Sequence, residues 1–176
     1  MSEQSIQDAY AFCPRCGVAK NQIGSIPFRC DSCNLVLFLG PVAAVGGLVV
    51  NEDNELLMVR RARQPGLGRW GLPGGFVDRN ETVEVALHRE VREETNLSIQ
   101  RIQFLMSRPN QYAYAGVVSP VIDFFFECVA VSIGELKLAE DELDFHQWVR
   151  PQAEHLENMA FESNRIAVEC WLAATR

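Results

Sequence analysis

Apolar residues fall into short runs that read as interleaved strands and helices from residue 42 onward. Residues 42–50 are apolar and β-branched with two glycines, and read as a strand. Asn51, Glu52, Asp53 and Asn54 form a turn cluster before a second strand at 56–59, a hairpin signal. Residues 61–69 read as a loop bearing Arg, Gly and Pro, and 70–76 as a glycine-rich turn. A helix is expected at 82–94, with Thr82 as its N-cap. Further strands are expected at 99–106, 117–133 and 147–149, and an amphipathic helix at 158–174. This order predicts the α/β class, with a mixed sheet flanked by helices.

Upstream the pattern differs. Residues 1–11 read as a loose lead-in, and 12–38 as a compact unit whose apolar pieces are too short to hold it together without a staple. Gly40-Pro41 marks a boundary. Two domains are therefore expected, 1–40 and 41–176.

Composition narrows the function classes. The 176 residues are 48% hydrophobic and 22% charged, ordinary for a globular chain. Sixteen Lys+Arg against 23 Asp+Glu leave a net charge of −7, which argues against nucleic-acid binding driven by phosphate neutralisation. A small anionic substrate stays open, because a divalent metal can supply the positive charge. No apolar run approaches the ~18 residues of a membrane span. The first residues lack a basic stretch followed by an apolar one, so no secretory signal and a cytoplasmic location are expected, with no membrane partner.

Four of the six cysteines form two pairs, Cys13/Cys16 and Cys30/Cys33, with thirteen residues between them. Doubled pairs at this spacing suit a four-thiolate structural Zn²⁺ site, a zinc ribbon with no open ligand position. Two disulfides or a thioredoxin-like pair fit a reduced compartment less well. Cys128 and Cys170 read as packed core thiols.

On a helical wheel at about 100° per residue, Val83, Ala86, Leu87 and Val91 form one stripe, with Glu84, His88 and Arg92 opposite. Glu90, Glu93 and Glu94 all fall back onto the apolar stripe in its last turn. Carboxylates gathered there repel one another and meet the unfavourable end of the helix dipole. A hard cation such as Mg²⁺ or Mn²⁺ resolves that conflict. The plainer alternative is a solvated acidic helix end paired with Arg89 and Arg92.

Gly75, Glu81, Arg89, Glu90, Val91, Glu93, Glu94, Asn96 and Leu97 resemble the Nudix box, G-x5-E-x7-R-E-U-x-E-E-x-G-U, where U is a bulky aliphatic. Only the last glycine departs; Asn96 stands there, the next best residue for a left-handed cap. The resemblance runs over roughly 42–174 and implies the Nudix α/β/α sandwich. It implies hydrolysis of a nucleoside diphosphate linked to another moiety, by water attack on phosphorus with Mg²⁺ or Mn²⁺. By position, Glu90 and Glu94 would be metal ligands and the Gly74 carbonyl a backbone ligand. Glu93 would be a ligand or the base that activates water. Arg89 would orient the glutamates, and Glu81 would pair with it or bind a further metal. A homodimer is among the assemblies the resemblance implies.

A zinc ribbon before such a domain is similar to zinc-bearing NADH, FAD and ADP-ribose pyrophosphatase-like members. The SQPWPFP-type segment that marks nicotinamide dinucleotide recognition is not matched by residues 105–114. Met159, Ala160, Phe161 and Ser163 resemble the C-terminal part of zinc-bearing relatives. Glu135, Glu140, Asp141, Glu142 and Asp144 are candidates for an extra acid after the box, with Glu140 or Glu142 preferred. Arg61, with Arg60, Arg63 and Arg69, could steer phosphate, although a solvated loop is the default for such a cluster. Tyr112 and Tyr114 could stack a base and Arg108 touch phosphate. Trp70 lies nearest the proposed site but reads, like Trp148 and Trp171, as packing. His88, His146 and His155 have no ligand spacing. Beside the hydrolase reading stand two others: clean-up of damaged nucleoside triphosphates, and a nucleotide-sensing or zinc-ribbon binding module.

Overall fold

A computed structural model describes residues 3–175. In chain order its elements are β1 (Gln4–Ser5), a 3-10 turn (Ile6–Ala9), β2 (Phe28–Arg29), β3 (Val36–Leu37), β4 (Val42–Val50), β5 (Leu56–Arg61), β6 (Trp70–Gly71), α1 (Val83–Thr95), β7 (Ile99–Tyr114), β8 (Val117–Ala130), β9 (Leu143–Val149), α2 (Ala153–Glu157) and α3 (Glu162–Ala174). The chain divides into two compact units, Met1–Val42 with Gln111–Val121, and Ala43–Asn110 with Ile122–Arg176. No helix among the described residues is long and apolar enough to cross a membrane.

In the first unit β2 and β3 pair antiparallel, Phe28 opposite Leu37. Among the described residues its cysteine-bearing part has a buried cluster of Cys13, Phe28 and Cys30, with Tyr10, Cys33, Leu35, Leu37 and Leu39 packed against it. Two of those three buried residues are thiols, so apolar burial alone is too small to hold the unit. Residues 4–9 are not the loose lead-in expected: Gln4 N–H donates to Gly116 O (3.0 Å), Gln4 and Ser5 pair in parallel with Val117 and Val118, and Ser5 Oγ donates to Asp8.

In the second unit β4 lies between β8 and β5; β7 pairs with β8, and β6 and β9 both pair with β5. Successive strand side chains point to opposite faces. Val45 and Val49 of β4 and Leu57 and Val59 of β5 pack with Ala86, Leu87 and Val91 of α1. Leu48 and Val50, with Leu56 and Met58, pack instead with Ala167, Val168 and Trp171 of α3. Both faces are covered, which is why these strands read as continuous apolar runs. The result is the expected α/β/α arrangement.

α1 starts and ends where the sequence predicts. Thr82 Oγ1 accepts from Val85 N (3.3 Å), and Asn96 takes the left-handed conformation at φ 60°, its N–H bonded to Arg92 O. The helix expected at 158–174 begins only at Glu162, because Trp70 N–H donates to Asn158 O (3.0 Å) and Ala160 N–H to Trp70 O (2.7 Å), and the short α2 before it was not expected. That pairing draws residues 158–160 out straight between α2 and α3. Two strands also exceed expectation. β7 continues past Met106 to Tyr114, across Pro109, and β9 begins at Leu143.

Candidate active site

The glycine-rich turn is laced onto β4. Gly47 N–H donates to Pro73 O (2.8 Å), Val45 N–H to Gly75 O (2.8 Å) and Val77 N–H to Ala43 O (3.0 Å). The surroundings require Gly74, and Gly75 lies against the Glu90 carboxylate. Gly74 has φ 150°, and a Cβ on it would lie 2.1 Å from Val45 O. A Cβ on Gly75 would lie 2.6 Å from the Glu90 carboxylate. Gly74→Ala is therefore expected to destabilise the chain by about 2 kcal/mol or more, read as a lowered denaturation midpoint. A midpoint equal to the wild type's would show that the turn can be rebuilt.

The glutamates divide in a way the wheel did not resolve. Glu94 is buried, 6% exposed, and its Oε2 accepts the Gly74 N–H at 2.9 Å. Burial pushes its pKa up to about 8, with Glu90 and Glu142 adding repulsion. Glu90 is half-buried, and burial raises its pKa too, against the pull of Arg89. Glu93 does not continue the buried stripe. Its side chain is 61% exposed, because it sits at the edge of the stripe where the helix meets solvent.

Arg89 ties this group together. Nε and Nη2 grip Glu81 Oε1 and Oε2 (2.8 and 2.9 Å), Nη1 donates to Glu90 Oε1 (2.7 Å) and Glu93 Oε2 (3.2 Å), and Nη2 also reaches Phe76 O (3.0 Å). The fork matches a carboxylate in a way a lysine could not. It lowers the Glu81 pKa, and the hydrogen bonds to Glu81 raise that of Arg89 further above its usual range.

The oxygen-rich chemistry of Glu90, Glu94 and Glu142 is of the kind a hard cation takes. The charge of Glu142 is felt at Glu90 and Glu94, the charge of Glu90 at Glu94, and the Gly74 amide is the hydrogen bond seen at Glu94. The three carboxylates do not converge as tightly as the cysteines. The segment carrying Glu142 is fastened to the end of α1. Lys137 N–H donates to Thr95 O (2.9 Å), Ala139 N–H to Glu94 O (3.0 Å) and Asn96 Nδ2 to Glu135 O (2.9 Å). The first two bonds satisfy carbonyls that a helix end leaves open.

In the first unit the ligand atoms of Cys13, Cys16, Cys30 and Cys33 lie within 4.8 Å of one another, the one such group of candidate metal donors among the described residues. The Cys13–Cys33 and Cys16–Cys30 sulfurs are each 3.7 Å apart. A tetrahedron with Zn–S of about 2.3 Å has S···S edges of about 3.8 Å. Gly17 N–H to Cys13 O and Asn34 N–H to Cys30 O (both 2.9 Å) close the two turns. Burial opposes ionisation of Cys13, but amides of Cys16 and Arg15 and neighbouring thiols bring it down to about 6. At Cys33 an amide hydrogen bond at Leu35 works downward, yet burial and the other three sulfurs push it up to about 12. The thiols compete for negative charge, which a dication would relieve.

The remaining candidates scatter. Arg61 donates to Pro65 O (2.5 Å), lies over the Phe161 ring at 5.2 Å, and is close enough for its charge to lower the Glu94 pKa. Trp70 packs against Phe145 and His155, with ring centroids 5.9 and 5.6 Å away. Tyr112 belongs to the first unit, whereas Arg61, Trp70 and Glu142 belong to the second. His155 caps α2, His88 is exposed, and Cys128 is buried as expected. Cys170, expected in the core, is exposed, because it follows Glu169 onto the outer face of α3. The sequence places Arg63 only in a basic cluster; in the fold its Nη2 meets Glu142 Oε2 at 2.7 Å. No local spacing signals a pair that tertiary structure brings together.

A NUDIX domain model matches residues 40–169. The chain is 36% identical over 135 residues to an ADP-ribose pyrophosphatase of Methanocaldococcus jannaschii, covering 74% of this chain and 73% of that one. It is 28% identical over 139 residues to the NAD-capped RNA hydrolase NudC of Deinococcus radiodurans, covering 76% of this chain but only 49% of that protein. Among solved structures it is similar to a MutT NUDIX hydrolase from Burkholderia pseudomallei, at 30% identity and a TM-score of 0.61, covering 74% of this chain and 97% of that one.

Proposed function

The chain belongs to the NUDIX family, whose members here are hydrolases of pyrophosphate bonds, and from that premise we propose that it cleaves a nucleoside diphosphate linked to another moiety, with ADP-ribose as the leading substrate. The observation that carries the reading is Glu94: a carboxylate buried beside Glu90, against a glycine turn too tight for any side chain.

Glu90, Glu94 and the Gly74 carbonyl would hold Mg²⁺ or Mn²⁺, with Glu142 completing the acids. The bound cation would neutralise phosphate charge and make a coordinated water more acidic. The chain's own groups supply the rest. Arg89 fixes the carboxylates at the end of α1 before substrate arrives, so no reorganisation is needed at the moment of reaction. Glu93, exposed and held at one oxygen by Arg89, suits the base that takes a proton from water better than it suits a ligand. Glu81 keeps Arg89 in place through both of its oxygens. The four cysteines would hold a structural zinc with no role in the chemistry.

The similarity to NudC favours a second reading within the same chemistry, a nicotinamide dinucleotide as substrate. The test is cation-dependent release of nucleoside monophosphate from ADP-ribose, NAD(H), FAD, nucleoside triphosphates and sugar nucleotides, with products identified. ADP-ribose is expected to give AMP with the highest kcat/KM. Preference for triphosphates would replace this reading with the clean-up role. Tight binding without turnover of any nucleotide would replace it with a sensing module.

A further inference from the structure

β9 reaches the acidic end of α1 through a bulge. Its register with β5 runs from Leu56↔Val149 to Arg60↔Phe145, then jumps to Arg61↔Leu143, leaving Asp144 as the extra residue. Past the bulge Ala62 N–H donates to Glu142 O (2.7 Å), and Arg63 Nη2 meets Glu142 Oε2 (2.7 Å). From the other side, Ala139 N–H is bonded to Glu94 O (3.0 Å), while Glu142 and Leu143 N–H both return to Ala139 O (2.9 Å each). Glu142 is thus pinned between the last turn of α1 and the loop after β5.

The pair is a weak candidate for stabilising the fold. The Arg63 side chain is 54% exposed and that of Glu142 30%, and ion pairs this wet contribute little. Its consequence is directional. Arg63 Nη2 meets the Glu142 carboxylate at Oε2, and that carboxylate lies near enough to Glu90 and Glu94 for its charge to be felt at both.

The geometry points to Arg63 as a positioning residue that holds the Glu142 carboxylate in place to serve the divalent cation at Glu90 and Glu94. This rests on the cation site proposed above. It also makes a claim about sign. Arg63 as a mere nearby positive charge would repel the cation, and its removal would tighten cation binding. Arg63 as a positioning group loosens cation binding when removed, because an oriented oxygen is lost.

The experiment is a Mn²⁺ titration of the full zinc-loaded chain, followed by electron paramagnetic resonance of free Mn²⁺, for wild type, R63Q, R63K, E142Q and R63Q/E142Q. Turnover on the best substrate of the panel is measured on the same samples. E142Q is expected to weaken Mn²⁺ about 10-fold and R63Q about 3- to 10-fold. R63K should recover part of the loss, and the double variant should bind no more weakly than E142Q alone. R63Q binding Mn²⁺ as tightly as the wild type, or more tightly, overturns the assignment. So do R63Q and E142Q effects that simply multiply. A wild type that binds no Mn²⁺ overturns both the cation site and the role of Arg63. A wild type that binds Mn²⁺ but turns over nothing overturns the hydrolase reading alone, and the Mn²⁺ series still decides Arg63.

Discussion

Glu94→Gln is expected to lower turnover about 10³-fold, the rate equivalent of several kcal/mol of lost charge stabilisation, and at the same time to make the cation-free protein more stable. Both effects come from burial. The Glu94 pKa stands at about 8 in the folded chain against an ordinary glutamate value of 4.5. The folded state therefore holds a proton that the unfolded state releases. Wild-type stability without cation should fall as pH rises from about 4.5 to about 8 and level off above. Glutamine occupies the same volume, carries no charge, and can still accept the Gly74 N–H through its carbonyl oxygen. Thermal unfolding in chelator should then show the two proteins alike near pH 4 and E94Q several degrees higher at pH 8. Added Mg²⁺ should reverse the order, because a cation that binds only the folded state stabilises it by mass action. Glu93→Gln is expected to lower turnover as well, because its exposed carboxylate suits the base that takes a proton from water. Superimposed unfolding profiles for wild type and E94Q across pH 5–8, or E94Q turning over at the wild-type rate, would contradict this account.

The contrast between Glu93 and Glu94 also shows what a linear pattern can and cannot carry. α1 was legible because its signals are local. Thr82 and Asn96 cap it through bonds to Val85 and Arg92 only a turn away, and the apolar stripe repeats within the helix. The wheel puts Glu94 within that stripe, between Val83 and Leu87, and Glu93 at its edge beyond Ala86, but whether that edge is covered depends on the strands behind it. The cysteine pairs were legible because their spacing nearly dictates their geometry. The break before α3 was not, because Trp70, far away in sequence, takes the backbone of Asn158 and Ala160. Pro109 and its polar neighbours hid the second half of β7, which is a strand only because β8 runs beside it. The Arg63–Glu142 pair, made across a bulge between β5 and β9, lay outside any local rule.

Removing zinc is expected to cost the first unit its structure while the sheet of the second persists. Among the described residues, the buried cluster around the thiols is Cys13, Phe28 and Cys30, so phenylalanine is its one apolar side chain that is not a cysteine. Structural Zn²⁺ in units of this size contributes on the order of 10–16 kcal/mol of binding free energy, far more than the burial of one phenylalanine. Cys30→Ser should therefore release the metal and unfold its surroundings, since an alcohol is a poor zinc ligand and Cys30 is buried. The wild-type chain, denatured in the presence of a chromogenic chelator, should yield one zinc per chain, and C30S far less. Hydrogen exchange followed by mass spectrometry should then show residues 12–38 losing protection in C30S, with amides of β4 and β5 still protected. Those strands draw their stability from Leu48, Val49, Leu56 and Leu57, all fully buried between helices. Full protection of residues 12–38 in metal-free C30S would mean that the thiols are held by packing alone. The 3.7 Å sulfur separations would then describe a core and not a coordination sphere.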